Sequence, residues 1–187
     1  STPLYSSAAS DVYKRQIREH KGDLKGLTLT FFGDGQSNMA HSYALAGVTA
    51  GMHVRIASPA DYAPRADIVE AADRRAAETG GSITLFTDAV EAAAGADVVV
   101  TDTWVSMGKE EEKLARIRDL GGYKVTPETM EIADSEAIFI HCLPADRGYE
   151  VDSEVIDGPQ SVVWDEAENR LHAQKALLVW LLDKKDA

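Results

Sequence analysis

The feature that most constrains this chain is an alternation that repeats from residue 26 to residue 182. A short β-favouring run is followed by a Gly- or Pro-marked turn and then by a helical stretch. Leu27-Thr28-Leu29-Thr30-Phe31-Phe32 is the first run, stopped by Gly33-Asp34-Gly35; a helix is predicted over 38–50, with Leu45 and Val48 on one side and Gly51 placed to end it. His53-Val54-Arg55-Ile56-Ala57 is the second strand, closed by Ser58-Pro59. The spacing of Ile68, Ala72 and Ala76 then predicts a helix over 64–79 that Gly80-Gly81 stops. Ser82-Ile83-Thr84-Leu85-Phe86 is the third strand, and Asp88 is read as the cap of a short Ala-rich helix ending at Gly95. Asp97-Val98-Val99-Val100-Thr101 is continuously apolar, as suits a strand buried on both faces.

Beyond it, residues 108–120 read as a solvated helix with a narrow apolar stripe at Leu114, Ile117 and Leu120. Thr126-Pro127 opens a short helix through Ile132. Ala137-Ile138-Phe139-Ile140 is the fifth strand and runs straight into His141-Cys142-Leu143-Pro144. Ser161-Val162-Val163-Trp164 is expected to be a last short strand or extended segment. The final helix is expected over 165–183, with Asp165 and Glu168 at capping-box spacing and Lys184-Lys185 at the negative end of the helix dipole. Strand-helix alternation of this kind predicts an α/β, doubly wound, Rossmann-like domain, with a mainly parallel sheet of about five strands and helices on both faces. Ligands of such sheets bind outside the carboxyl ends of the strands. Four elements qualify: residues 33–42, 102–108 and 141–147, and the start of the last helix with Arg170.

With 187 residues the chain is long enough to bury a core without disulfides or metal. Its 19 Lys and Arg against 31 Asp and Glu give a net charge of −12, which argues against nucleic acid or an anionic membrane as partner. No apolar run reaches the ~18–20 residues that span a bilayer. A single cysteine, Cys142, excludes an internal disulfide and every multi-cysteine metal pattern; a lone thiol fits a reducing compartment, so a cytoplasmic setting is expected. Residues 1–16 carry no basic start followed by an apolar stretch and follow no period, so they are read as an unrelated or disordered tail.

Each candidate motif has a plain reading and a sharper one. Gly33-Asp34-Gly35-Gln36-Ser37-Asn38 could be a simple turn with Asn38 as N-cap, or a helix mouth holding an anion or zwitterion; it is not a dinucleotide fingerprint, because Asn stands where the third Gly belongs. Asp102, after a buried strand, is either a turn residue or a carboxylate at the sheet rim able to hold an ammonium. Cys142 is either a buried structural thiol or a reactive one. His141 cannot easily serve as its base, since neighbours in an extended strand point to opposite sides. Arg170 is either a helix salt-bridge partner or a guanidinium aimed at phosphate or carbonyl oxygen. His172, Trp104, Trp164 and Trp180 are taken as packing residues.

Taken together and in order, Gly33-Asp34-Gly35 with Asn38-Met39-Ala40-His41-Ser42, Asp102-Thr103-Trp104-Val105-Ser106-Met107-Gly108, His141-Cys142-Leu143-Pro144 and Glu166-Ala167-Glu168-Asn169-Arg170 closely resemble the ornithine carbamoyltransferases. The resemblance runs from Ile17 to about Leu182. It implies transfer of the carbamoyl group from carbamoyl phosphate to L-ornithine, giving L-citrulline and phosphate, as part of arginine metabolism, with no cofactor and no metal. It implies that Asn38 holds the ornithine carboxylate and amino region, and that Asp102, with Ser106 and Met107, holds the α-amino group. Cys142 would orient the attacking amine and, as a thiolate, help deprotonate it. His141 and the Leu143 carbonyl would face the carbamoyl group, and Arg170 would reach carbamoyl phosphate. Position 37 is Ser where the family often has a second Asn.

The Ser-x-Arg-Thr and His-Pro-x-Gln segments of the family's phosphate-binding domain do not occur here. The chain therefore resembles the ornithine-binding half alone: residues 17–25 as the end of an interdomain helix and linker, and 26–187 as the ornithine-binding domain. The resemblance implies a homotrimer for the full-length enzyme only, little activity for this chain by itself, and an exposed apolar patch on the last helix and around Ile17. Alternatives are a Rossmann-like module that binds an amino acid or nucleotide without chemistry, a transcarbamoylase for a related amine, and a cysteine hydrolase, which lacks a base.

Overall fold

The computed structural model describes residues 8–105 and 110–185. Five strands, β1 (Thr28–Phe32), β2 (His53–Ala57), β3 (Ser82–Phe86), β4 (Val98–Thr101) and β5 (Ile138–His141), form one sheet in the order β3-β2-β1-β4-β5. Every pairing is parallel. The chain winds outward from β1 to β3, then returns to the other side of β1 with β4. The β1/β4 junction is thus the point where the winding reverses, the place at which sheets of this kind take ligands.

Alternation along each strand sends side chains to two cores. Leu29, Phe31, Val54, Ile56, Val98 and Val100 face one core, which is covered by α1 (Ala8–Lys21), α2 (Asn38–Thr49) and α3 (Ala66–Thr79). Phe32, Val99 and Phe139 face the other, covered by α4 (Ala89–Ala93), α6 (Pro127–Ile132) and α7 (Ser153–Ile156). Asp88 caps α4 through bonds from Val90 N and Glu91 N, and Thr126 caps α6 in a capping box with Thr129. α5 (Lys113–Leu120) and α8 (Val163–Lys185) complete the fold.

Three expectations are corrected. The folded unit does not begin at residue 17. Residues of α1 before it are packed: Tyr13 is fully buried with Ile17 one turn on, its ring lies 4.3 Å from that of Tyr43, and its hydroxyl donates to Ser42 O. Tyr13 and Ile17 join the core under α2, and α1 packs chiefly along α8, where Asn169 donates to Gln16 and Glu19; residues 1–7 lie outside the described residues.

The last helix starts at Val163 and not at Asp165. Ser161 makes only an isolated bridge to Phe139, and Glu166 N already donates to Val162 O. Asp165 therefore lies inside the first turn, near His20 at 3.5 Å, and is not a cap. In α5 Leu120 is buried and Ile117 half-buried, whereas Leu114 is 84% exposed, so the apolar stripe is shorter than expected and the buried Arg116 helps to anchor that helix.

Candidate functional site

Register places the candidate residues. Phe32 pairs with Thr101, and Thr101 with His141, so the chain leaves β1, β4 and β5 at one level. The next residues are Gly33, Asp102 and Cys142, side by side along one rim. The Cys142 thiol donates to Asp102 Oδ1 at 3.3 Å. Asp102 Oδ1 also accepts from Thr103 N at 2.9 Å, leaving Oδ2 without a bond among the described residues.

The exit loops are tied together from below. Arg116 donates to Asp34 Oδ2 at 2.7 Å and to Trp104 O at 3.1 Å, joining the turn after β1 to the segment after β4. Both charged side chains are buried. Gly33 has φ +119, and a Cβ there would meet Trp104 Nε1 at 3.0 Å; the two exits approach this closely only because that residue is Gly.

Ser37, not Asn38, caps α2, accepting from Ala40 N at 3.0 Å. Asn38 is the first helical residue and is exposed, with no side-chain hydrogen bond among the described residues. His141 is fully buried: its Nδ1 accepts from Leu143 N at 2.9 Å, and its Nε2 lies 3.4 Å from buried Glu150, out of line for a hydrogen bond. Leu143 is half-buried with φ +53, a left-handed conformation that this bond to His141 holds in place. Arg170 is exposed and forms no ion pair within α8 among the described residues, so the helix salt-bridge reading is not realised there. Ser106 and Met107 lie outside the described residues. Of the expected packing residues, Trp104 is buried, while Trp164 and Trp180 are more than half exposed and His172 lies 3.4 Å from Glu168 on its own helix.

Two acidic residues escaped the sequence reading. Glu150 is buried and accepts from Asp146 N at 2.6 Å. Glu166, in the first turn of α8, is buried and accepts from His141 N at 3.1 Å. Asp and Glu are common on helices and loops, and only the tertiary packing turns these two inward.

Burial sets the electrostatics. It raises Asp102 above the usual carboxylate range, against the lowering effect of the Cys142 thiol and His141. Burial, then the Asp102 carboxylate, push the Cys142 thiol well above its ordinary value, so it stays protonated and donates; the expected thiolate is not what the geometry favours. Burial pushes Glu166 up to about 7, against the influence of His141 and Arg170. The rim can therefore offer a carboxylate oxygen and a thiol to an ammonium. Among the described residues no group of three or more His, Cys, Asp and Glu is placed to hold a metal ion, and no helix is long and apolar enough to cross a membrane. A separate cleft of about 440 Å³ between α6 and α7, lined by Met130, Glu131, Glu154 and Val155 among others, includes none of these rim residues.

Fold and rim together define an α/β domain with a candidate ligand site at the reversal point of a parallel sheet. Residues 25–181 match the family described as aspartate/ornithine carbamoyltransferase, Asp/Orn binding domain, and the chain belongs to that family. It is 72% identical over 189 residues to the ornithine carbamoyltransferase of Clavibacter michiganensis subsp. michiganensis, covering 97% of this chain and 62% of that protein. It is 65% identical to that of Clavibacter sepedonicus, with the same coverage. The ornithine carbamoyltransferase structure from Pyrococcus furiosus superposes with a TM-score of 0.87 at 44% identity, covering 91% of this chain and 54% of that one. The chain thus spans less than two thirds of the length of the curated relatives it matches.

Proposed function

We propose that this chain supplies the ornithine-binding half of an ornithine carbamoyltransferase, which transfers a carbamoyl group from carbamoyl phosphate to L-ornithine. The observation that carries the reading is the Cys142–Asp102 contact at the strand rim, where a thiol and a carboxylate oxygen meet beside the mouth of α2. Asp102, with Ser106 and Met107, takes the α-ammonium of ornithine, and Asn38 its carboxylate region. Cys142, as a protonated thiol, directs the side-chain amine toward the carbamoyl carbon. His141 acts by fixing Leu143, whose carbonyl faces the carbamoyl group, and Arg170 reaches the phosphate end. The neutral amine attacks the carbamoyl carbon, the carbon–oxygen bond to phosphate breaks, and the proton shed by the nitrogen goes to the departing phosphate; the rate comes from positioning and charge stabilisation. No cofactor or metal is needed for this step.

The phosphate end needs more anion-binding groups than Arg170, and we assign these to the part of the enzyme that this stretch does not span. A homotrimer of the full-length enzyme and a cytoplasmic location accompany the reading, with neither nucleic acid nor membrane as partner. Backbone NMR of the chain titrated with L-ornithine, L-aspartate and NAD tests it: L-ornithine alone should shift the Asn38, Asp102 and Cys142 signals, and selective shifts with NAD would favour a nucleotide-binding module instead.

A further inference from the structure

We infer that Glu166 is a positioning residue: its carboxyl group ties α8, and with it Arg170, to the backbone on which β5 delivers Cys142. β5 is an edge strand, paired with β4 on one side only. Along its outer edge Phe139 is paired with the following segment, with Phe139 N donating to Gln160 O and Val162 N to Phe139 O. The next outward donor, two residues on, is His141 N, and there the covering segment has already turned into α8. Glu166 Oε2 takes that donor at 3.1 Å. The side chain is 4% exposed, so water does not compete for the bond.

One turn further along α8 stands Arg170, on the same face as Glu166. Cys142 directly follows His141. A single carboxyl group therefore sets the spacing between the thiol at the amine end and the guanidinium at the phosphate end, which come from different elements. α8 is itself held by α1, where Asn169 donates to Gln16 and to Glu19, so the strut is anchored at both ends. This role rests on the reading that Cys142 and Arg170 serve one pair of substrates.

The test uses the whole chain, in which Cys142 is the only thiol. Glu166→Gln keeps an acceptor and the shape; Glu166→Ala removes the acceptor, and Glu166→Leu does so while filling the space. Two rates are read: amide hydrogen exchange at His141 and alkylation of Cys142 by iodoacetamide. The Gln variant should keep at least the parent's protection at His141 and alkylate no faster. The Ala and Leu variants should lose protection at His141 by about ten-fold or more and alkylate several-fold faster, with unchanged far-ultraviolet circular dichroism. Should Ala unfold the chain, the Leu variant decides alone. Unchanged rates in the acceptor-less variants, or equal losses in the Gln variant, would overturn the proposal. L-Ornithine that fails to slow alkylation of the parent counts against the substrate reading instead, and leaves the comparison of variants intact.

Discussion

Cys142 Sγ lies 3.3 Å from Asp102 Oδ1 although the two residues are forty positions apart in the chain. The contact follows from register: Thr101 pairs with His141, so the residues that follow emerge at the same height on adjacent parallel strands. Burial and the carboxylate keep the sulfur protonated, which makes it a donor to Asp102. Cys142→Ser preserves a donor of similar size, whereas Cys142→Ala leaves Asp102 with one bond fewer. We predict that the Ala variant binds L-ornithine about ten-fold more weakly, or worse, and that Ser falls between it and the parent; calorimetric titration measures both.

The Arg116–Asp34 pair is a second, purely structural junction. Both side chains are 7% exposed or less, and Arg116 also holds Trp104 O. Arg116→Ala strands the buried Asp34 carboxylate and should destabilise the fold by about 3–5 kcal/mol. Asp34→Ala should cost less, because Glu112 still pairs with Arg116 Nε at 2.9 Å. The double variant should lose clearly less than the sum, because the second change removes the stranded charge. Urea unfolding of the three variants measures the coupling.

Glu166 gives the fold a pH dependence of definite sign. Its carboxyl group titrates near 4.5 when unfolded and is raised to about 7 in the fold. Protonation thus favours the folded state: the contribution is fully present below the unfolded value and is lost as pH rises through the folded one. Linkage puts it at about 3 kcal/mol across that window. Asp102, raised by burial, acts in the same direction. Below that window, the exposed ion-paired carboxylates of Asp67, Asp119 and Asp157, which are lowered, lose their stabilisation as they protonate. Stability should therefore rise from pH 8 to about pH 5 and then fall. Glu166→Gln should flatten the upper limb and exceed the parent at pH 8; denaturant midpoints across pH measure this.

α8 carries Leu171, Leu178, Trp180 and Leu182 at 56–65% exposure, on more than one side of the helix. A helix apolar around its circumference is normally covered. The patch expected on the last helix is present, while Ile17, expected within it, is fully buried on the inner face of α1. We predict that the chain, taken alone, self-associates at micromolar concentrations through α8. Leu178→Lys with Leu182→Lys should return it to monomers without lowering its melting temperature, as sedimentation will show. Citrulline formation by the chain alone should be undetectable, since holding both reactants in place supplies about 7–11 kcal/mol of the barrier reduction at best.

How far the sequence reaches differs between elements. Strand identity was readable because Leu29-Thr30-Phe31-Phe32 and Val98-Val99-Val100 are β-favouring runs bounded by Gly and Asp, and all five strands stand where those runs predict. The strand ends carried Asp102 and Cys142 to one rim for the same reason. The start of α8 was misread, because Val162 and Val163 look like strand residues until the edge of β5 claims the segment before them. Tyr13 and Ile17 were missed because α1 is held partly by polar bonds from α8, which leave no periodic apolar trace. Glu150 and Glu166 could not be told from surface acids, since only tertiary packing decides which carboxylates turn inward.

The most direct test of the thiol–carboxylate site is the rate of Cys142 alkylation by iodoacetamide, measured without ligand and then with saturating L-ornithine or L-aspartate. The reaction should be slow in the free chain, slower still with L-ornithine and unaffected by L-aspartate. A fast reaction that L-ornithine leaves unchanged would contradict the proposed site.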